Sequence, residues 1–101
     1  MIQILHVPGC PGARALGARL SQLLATRPDT EVTWHVVATE DDAGRLGMTG
    51  SPTMLADGTD PFAAPGLMPS LSCRVYRDED GNLRPAPTEQ QLRQVLGLTS
   101  Q

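Results

Sequence analysis

A change of hydrophobic period across residues 8–12 organises the first third of the chain. Residues 2–7 (IQILHV) are apolar and β-prone and stop at Pro8-Gly9, the pattern of a short buried strand. From Ala13 the spacing turns helical. Ala13, Leu16, Leu20, Leu23 and Leu24 share one face, and Arg14, Arg19 and Gln22 lie away from it. This helix is predicted to end near Arg27-Pro28, because proline cannot continue it. Residues 31–37 (EVTWHVV) then alternate, with Val32, Trp34 and Val36 on one face and Thr33, His35 and Val37 on the other. Two strands joined through a crossover helix are expected to lie parallel.

Further on, Thr39 reads as an N-cap with Glu40, Asp41 and Asp42 in the first turn, where the helix dipole favours acids. That short helix runs to about Leu46 and stops at Gly47. Gly50-Ser51-Pro52 introduces a third strand at 53–56 (TMLA), closed by Asp57-Gly58. Residues 59–72 are irregular and carry Pro61, Pro65, Gly66 and Pro69. A loop of this length is a candidate functional segment. Its Phe62, Leu67, Met68 and Leu71 would form a lid, a homodimer contact, or packing against their own domain. A fourth strand is predicted at 73–77 (CRVYR), then a turn at Asp78-Glu79-Asp80-Gly81. Thr88-Glu89-Gln90-Gln91 fits a capping box before a last helix with Leu92, Val95 and Leu96 as its buried stripe. The expected order is β-α-β-α-β-β-α. Strands 53–56 and 73–77 would pair as an antiparallel hairpin and complete a central mixed four-stranded sheet.

The 101 residues suit a single α/β domain, 1–101. Only Trp34, Phe62 and Tyr76 are aromatic, so the core must come from Leu, Val, Ile and Ala. A net charge of −3 with no basic cluster argues against nucleic acid as a partner. The N-terminus lacks a basic region before an apolar one, so no signal peptide is expected. No apolar run approaches the roughly 20 residues of a membrane span. These features point to a cytoplasmic protein, in which both cysteines are thiols by default.

Cys10 follows a strand and occupies a cap position, with Pro11 suited to the first helical turn. Free N–H groups and the helix dipole there favour thiolate over thiol. The flanking prolines and glycines predict an exposed side chain. The alternative is a small buried residue that packs like alanine. Ser51-Pro52 is the second candidate, since proline at the start of a strand implies an edge or a bend. Cys73 is the one other thiol. In a plain hairpin it lies beyond the roughly 7 Å between Cα atoms that a disulfide allows, unless the long loop carries the chain back. Otherwise it is a buried strand thiol. His6 and His35 are candidates to stabilise the Cys10 thiolate, or to be hydrogen-bonded core residues. Arg14 and Arg45 could add positive charge. Together with Cys73 the histidines and Cys10 number the four ligands zinc takes, but the paired short spacings of zinc sites are absent, so no metal or other cofactor is expected.

Val7-Pro8-Gly9-Cys10-Pro11-Gly12-Ala13, followed later by Gly50-Ser51-Pro52-Thr53, resembles the thioredoxin superfamily. The element order and the last helix extend the likeness over nearly the whole chain. The resemblance implies a thioredoxin-like fold, a cis Pro52 against Cys10, and a Ser51 backbone that binds an extended thiol-bearing substrate. Pro11, Ser51 and Pro52 are thus the candidate substrate-binding residues. Ala13 stands where that family's Cys-x-x-Cys motif has its second cysteine. A local disulfide cannot form, which leaves one-thiol chemistry, a remote resolving cysteine such as Cys73, or a lost activity. The stretch from Gly50 to Phe62, with Ser72-Cys73-Arg74-Val75-Tyr76, is also similar to small actinobacterial thioredoxin-like proteins labelled alkylmercury lyase-like. That likeness implies Cys10 and Cys73 as a catalytic thiol pair, with Asp57 or Asp60 as the acid. Three functions follow as expectations. They are thiol–disulfide exchange with a small thiol or a protein thiol, soft-metal or organomercury handling, and a non-catalytic adaptor that kept the fold.

Overall fold

The central strand of the molecule is β1 (Ile2–His6), and both of its faces are covered. In the computed structural model, which describes residues 1–98, β1 pairs in parallel with β2 (Val32–Val36). The crossover between them is α1 (Pro11–Leu23). On its other side β1 pairs antiparallel with β4 (Thr53–Ala56), giving the order β2-β1-β4. Two cores result. Ile2, Ile4 and Met54 pack with Ala13, Leu16, Leu20 and Leu23 of α1 and with Leu92 of α3 (Glu89–Val95). Leu5, Val37, Met48 and Leu55 pack on the opposite face with Ala43 of α2 (Glu40–Leu46). This is a mixed α/β domain with helices on both faces of its sheet. The uninterrupted apolar character of β1 follows from its position. Full burial of a side chain such as Ile4 or Leu5 contributes about 1.5–3 kcal/mol.

The helix boundaries follow the local signals. Thr39 Oγ1 accepts the Asp42 N–H at 3.1 Å, and Gly47 closes α2 in the left-handed region with φ 89°. Thr88 and Gln91 form the reciprocal capping box of α3. Two details differ from expectation. α1 ends at Leu23, before Arg27-Pro28, and Val95 of the last helix is exposed. Trp34 and Val36, on β2 at one edge of the sheet, are exposed as well.

The predicted 53–56/73–77 hairpin does not form, and the central sheet has three strands rather than four. Instead, β5 (Ser70–Cys73) runs parallel to β3 (Thr49–Ser51), with Thr49 opposite Ser70 and Ser51 opposite Cys73. The predicted strand 73–77 is broken at Arg74. Its side chain turns inward, and the chain resumes as β6 (Tyr76–Arg77), paired with β7 (Leu83–Arg84). A buried guanidinium must find polar partners, and those that hold Arg74 lie in the loop and in β3 and β4. That requirement overrides continuation of the strand. Close approach of Arg74 also explains Gly50, whose φ is +112° and where an added Cβ would fall 2.7 Å from Arg74 Cβ. No helix among the described residues is long and apolar enough to cross a membrane.

Candidate functional site around Cys10

Cys10 is the N-cap of α1, and its Sγ accepts the Ala13 N–H at 3.4 Å. Pro11 takes the first helical position, where its missing N–H leaves no bond unmade. The strand that delivers Cys10 is pinned just beforehand, because the Val7 N–H donates to Ser51 Oγ at 3.0 Å. The thiol is not exposed as the flanking residues predict. Cys10 is only 8% accessible and joins the core beneath α1. Capping is the reason, since a side chain folded back over the first turn to reach the Ala13 N–H is drawn inward.

The Ser51–Pro52 peptide bond is cis, and both residues are buried. Pro52 meets the first turn of α1 at Gly12. A Cβ there would lie 3.0 Å from Pro52 Cδ and 2.4 Å from the Pro85 carbonyl oxygen, so only glycine lets these segments converge beside Cys10. The Ser51 carbonyl is already engaged, accepting the Arg74 N–H at 3.0 Å. One of the Ser51 backbone groups that the resemblance assigns to substrate is thus engaged within the chain. Pro11 is exposed.

Behind Pro52 stands a cluster built on Arg74 and Tyr76, neither of which the sequence marks out as a site residue, and it gathers in Asp60 and Phe62. The Tyr76 hydroxyl donates to the Pro52 carbonyl at 2.6 Å. The Arg74 guanidinium lies 4.7 Å from the centre of the Tyr76 ring, and Phe62 meets that ring edge-on at 5.7 Å. Arg74 also binds Asp60 at 2.7 Å and the Phe62 carbonyl at 2.8 Å, and reaches the hydroxyls of Thr49 and Thr53. Burial pushes the Tyr76 phenol well above its ordinary value. Arg74 opposes the shift, while Asp60 and Cys10 add to it. The one signal for this cluster in the sequence is an arginine set inside an apolar, β-prone run.

The other candidates disperse. Cys73 is exposed rather than a buried strand thiol, and both cysteines are free. It lies opposite Ser51 but does not line the concavity that holds Cys10. Asp57 binds the N-terminal amine at 2.9 Å, and Asp60 is held by Arg74. Arg45 pairs with Asp42 on α2. His6 Nδ1 lies 3.0 Å from the Val7 carbonyl and therefore carries its proton toward that oxygen. The His35 Nε2 is buried without a hydrogen-bond partner among the described residues. Among those residues no three His, Cys, Asp or Glu side chains gather to hold a metal ion.

Cys10 opens onto a concavity of about 210 Å³ lined by His6, Gly9, Cys10, Ala13, Arg14 and Trp34. A second concavity of about 180 Å³ sits at the opposite end of β1, between Ile2, Leu24, Ala56 and Leu98, and contains neither cysteine. The fold and this site define a mixed α/β domain with one thiol capping the helix that leaves its central strand. Comparison of the chain with protein-family models, with curated proteins and with solved structures finds no match.

Proposed function

We propose that the protein is a thioredoxin-like thiol protein in which Cys10 alone carries out thiol–disulfide exchange. The observation that supports this reading most is the Cys10 sulfur capping α1 on the Ala13 N–H, at the floor of a surface concavity. An N–H donor favours negative charge on the sulfur it meets. In the proposed step the Cys10 thiolate attacks one sulfur of a disulfide RS–SR. A Cys10–S–S–R bond forms, the RS–SR bond breaks, and the second sulfur leaves as RS⁻, which takes a proton from water. Ala13 provides no second thiol, so an external thiol resolves the mixed disulfide.

Alkylation of Cys10 in the Cys73→Ser variant tests the reading. The expected result is a rate at neutral pH faster than that of free cysteine, with one mixed-disulfide adduct on Cys10 after exposure to a small disulfide. A rate no faster than free cysteine sinks it. The burial of Cys10 favours a second reading, a partner-binding module that kept the fold without the chemistry, and an inert Cys10 in the folded protein is the result it predicts.

A further inference from the structure

We infer that the partner of Cys10 is a small carboxylate-bearing thiol or its disulfide, held by Arg14 with its carbon chain against Trp34. This inference rests on the thiol-exchange reading above. Of the six residues that line the Cys10 concavity, Arg14 is a cation and none is an acid. The chain as a whole is acidic, with 11 Asp and Glu against 8 basic residues, all arginine. Most of those arginines are engaged. Arg45, Arg74, Arg84 and Arg93 pair with carboxylates, and Arg19 and Arg77 bind carbonyl oxygens. Arg14 has no hydrogen-bond or ion-pair partner among the described residues, so the guanidinium beside the thiol is free for an incoming anion.

Trp34 supplies a prepared wall. A Cβ at Gly17 would fall 2.4 Å from Cζ2 and Cη2 of the indole, so the ring rests directly on the backbone of α1. His6 braces it edge-on, with ring centres 5.3 Å apart at 86°. The indole is still 47% accessible. A ring seated on two sides loses little freedom when a ligand covers it. Cys10 caps α1 and Arg14 follows four residues later, and both line the same concavity. A ligand with a short carbon chain between sulfur and carboxylate places one group at each.

The test compares three disulfides of similar size: anionic dithiodipropionate, neutral bis-hydroxyethyl disulfide and cationic cystamine. Adduct formation on Cys10 is followed in Cys73→Ser, each rate divided by that of a model thiol with the same reagent. The expected order is anionic, then neutral, then cationic. Arg14→Gln lowers the anionic-to-neutral ratio by about three- to fivefold, the size of an exposed ion pair, and added salt does the same. Equal normalised rates for the three reagents, unchanged by Arg14→Gln, overturn the inference and leave the exchange reading standing. Failure of all three reagents overturns the exchange reading instead. A binding measurement then decides the ligand class on its own. Methylthiopropionate, which cannot react, should change the fluorescence of Trp34 saturably, more weakly in Arg14→Gln, while its neutral amide should not. The absence of any saturable change overturns the inference.

Discussion

Tyr76 ties the chemistry of single residues to the site. It is the only tyrosine, it is buried, and its hydroxyl fixes the carbonyl of Pro52, the residue whose ring meets the first turn of α1. Burial holds its phenol above the ordinary value, so the folded protein keeps the proton where the unfolded chain, at about pH 10, gives it up. The sign follows from linkage: the contribution is complete below about pH 10 and is lost as pH rises from there through the folded value. Urea midpoints measured across that alkaline range should therefore fall more steeply for the native protein than for Tyr76→Phe. The variant should also lose about 1–3 kcal/mol at neutral pH, because the buried Pro52 carbonyl loses its donor. Identical alkaline slopes would show that the phenol is not shielded.

At the scale of elements, Arg74 is the clamp between the long loop and the sheets. Through Asp60 and the Phe62 carbonyl it holds residues 57–69 onto β3 and β4, with only about a tenth or less of either side chain of the ion pair exposed. Breaking a buried pair on one side costs about 3–5 kcal/mol, because the partner's charge stays uncompensated. Arg74→Met should lose stability of that order. Proteolysis should then cut first near Leu67 and Met68, which are already exposed. Asp60→Asn, which removes the stranded charge, should restore part of the loss in the double variant. An Arg74→Met protein as stable and protease-resistant as the parent would contradict the clamp. Asp60, the acid in the alkylmercury lyase-like likeness, thus has a structural task. Phe62 of the loop and Leu71, which falls in β5, pack on the domain's own clusters, while Met68 remains outside.

For the whole molecule, the controlling feature is that two clusters share one strand. Ile4 and Leu5 are neighbours on β1 yet belong to opposite cores. Neither cluster can open without disturbing the strand that the other requires. Ile4→Ala and Leu5→Ala should each cost about 2–5 kcal/mol. Unfolding should remain a single transition by Trp34 fluorescence and by circular dichroism. Separate transitions in either variant would mean that the two faces are independent. The same architecture limits how far Cys10 can move, since it caps a helix whose inner face belongs to the first of those cores.

Much of the frame is legible in local chemistry. The strand–helix–strand unit at residues 2–36, the Thr39 cap, Gly47 and the Thr88 capping box depend on residues close in sequence, whose periodicity and side-chain oxygens act over three or four positions. Cys10 as an N-cap with Pro11 behind it belongs to the same class. Other features depend on contacts between distant residues. The burial of Cys10, the pairing of β5 with β3 in place of a hairpin, and the Arg74–Asp60–Tyr76–Pro52 cluster join positions from 10 to 76. Arg74 is decisive here. Nothing within a few residues of it predicts whether a charge in an apolar run ends in water or in the interior. That outcome is set by whether a carboxylate, a carbonyl and two hydroxyls from elsewhere in the chain arrive at the same point.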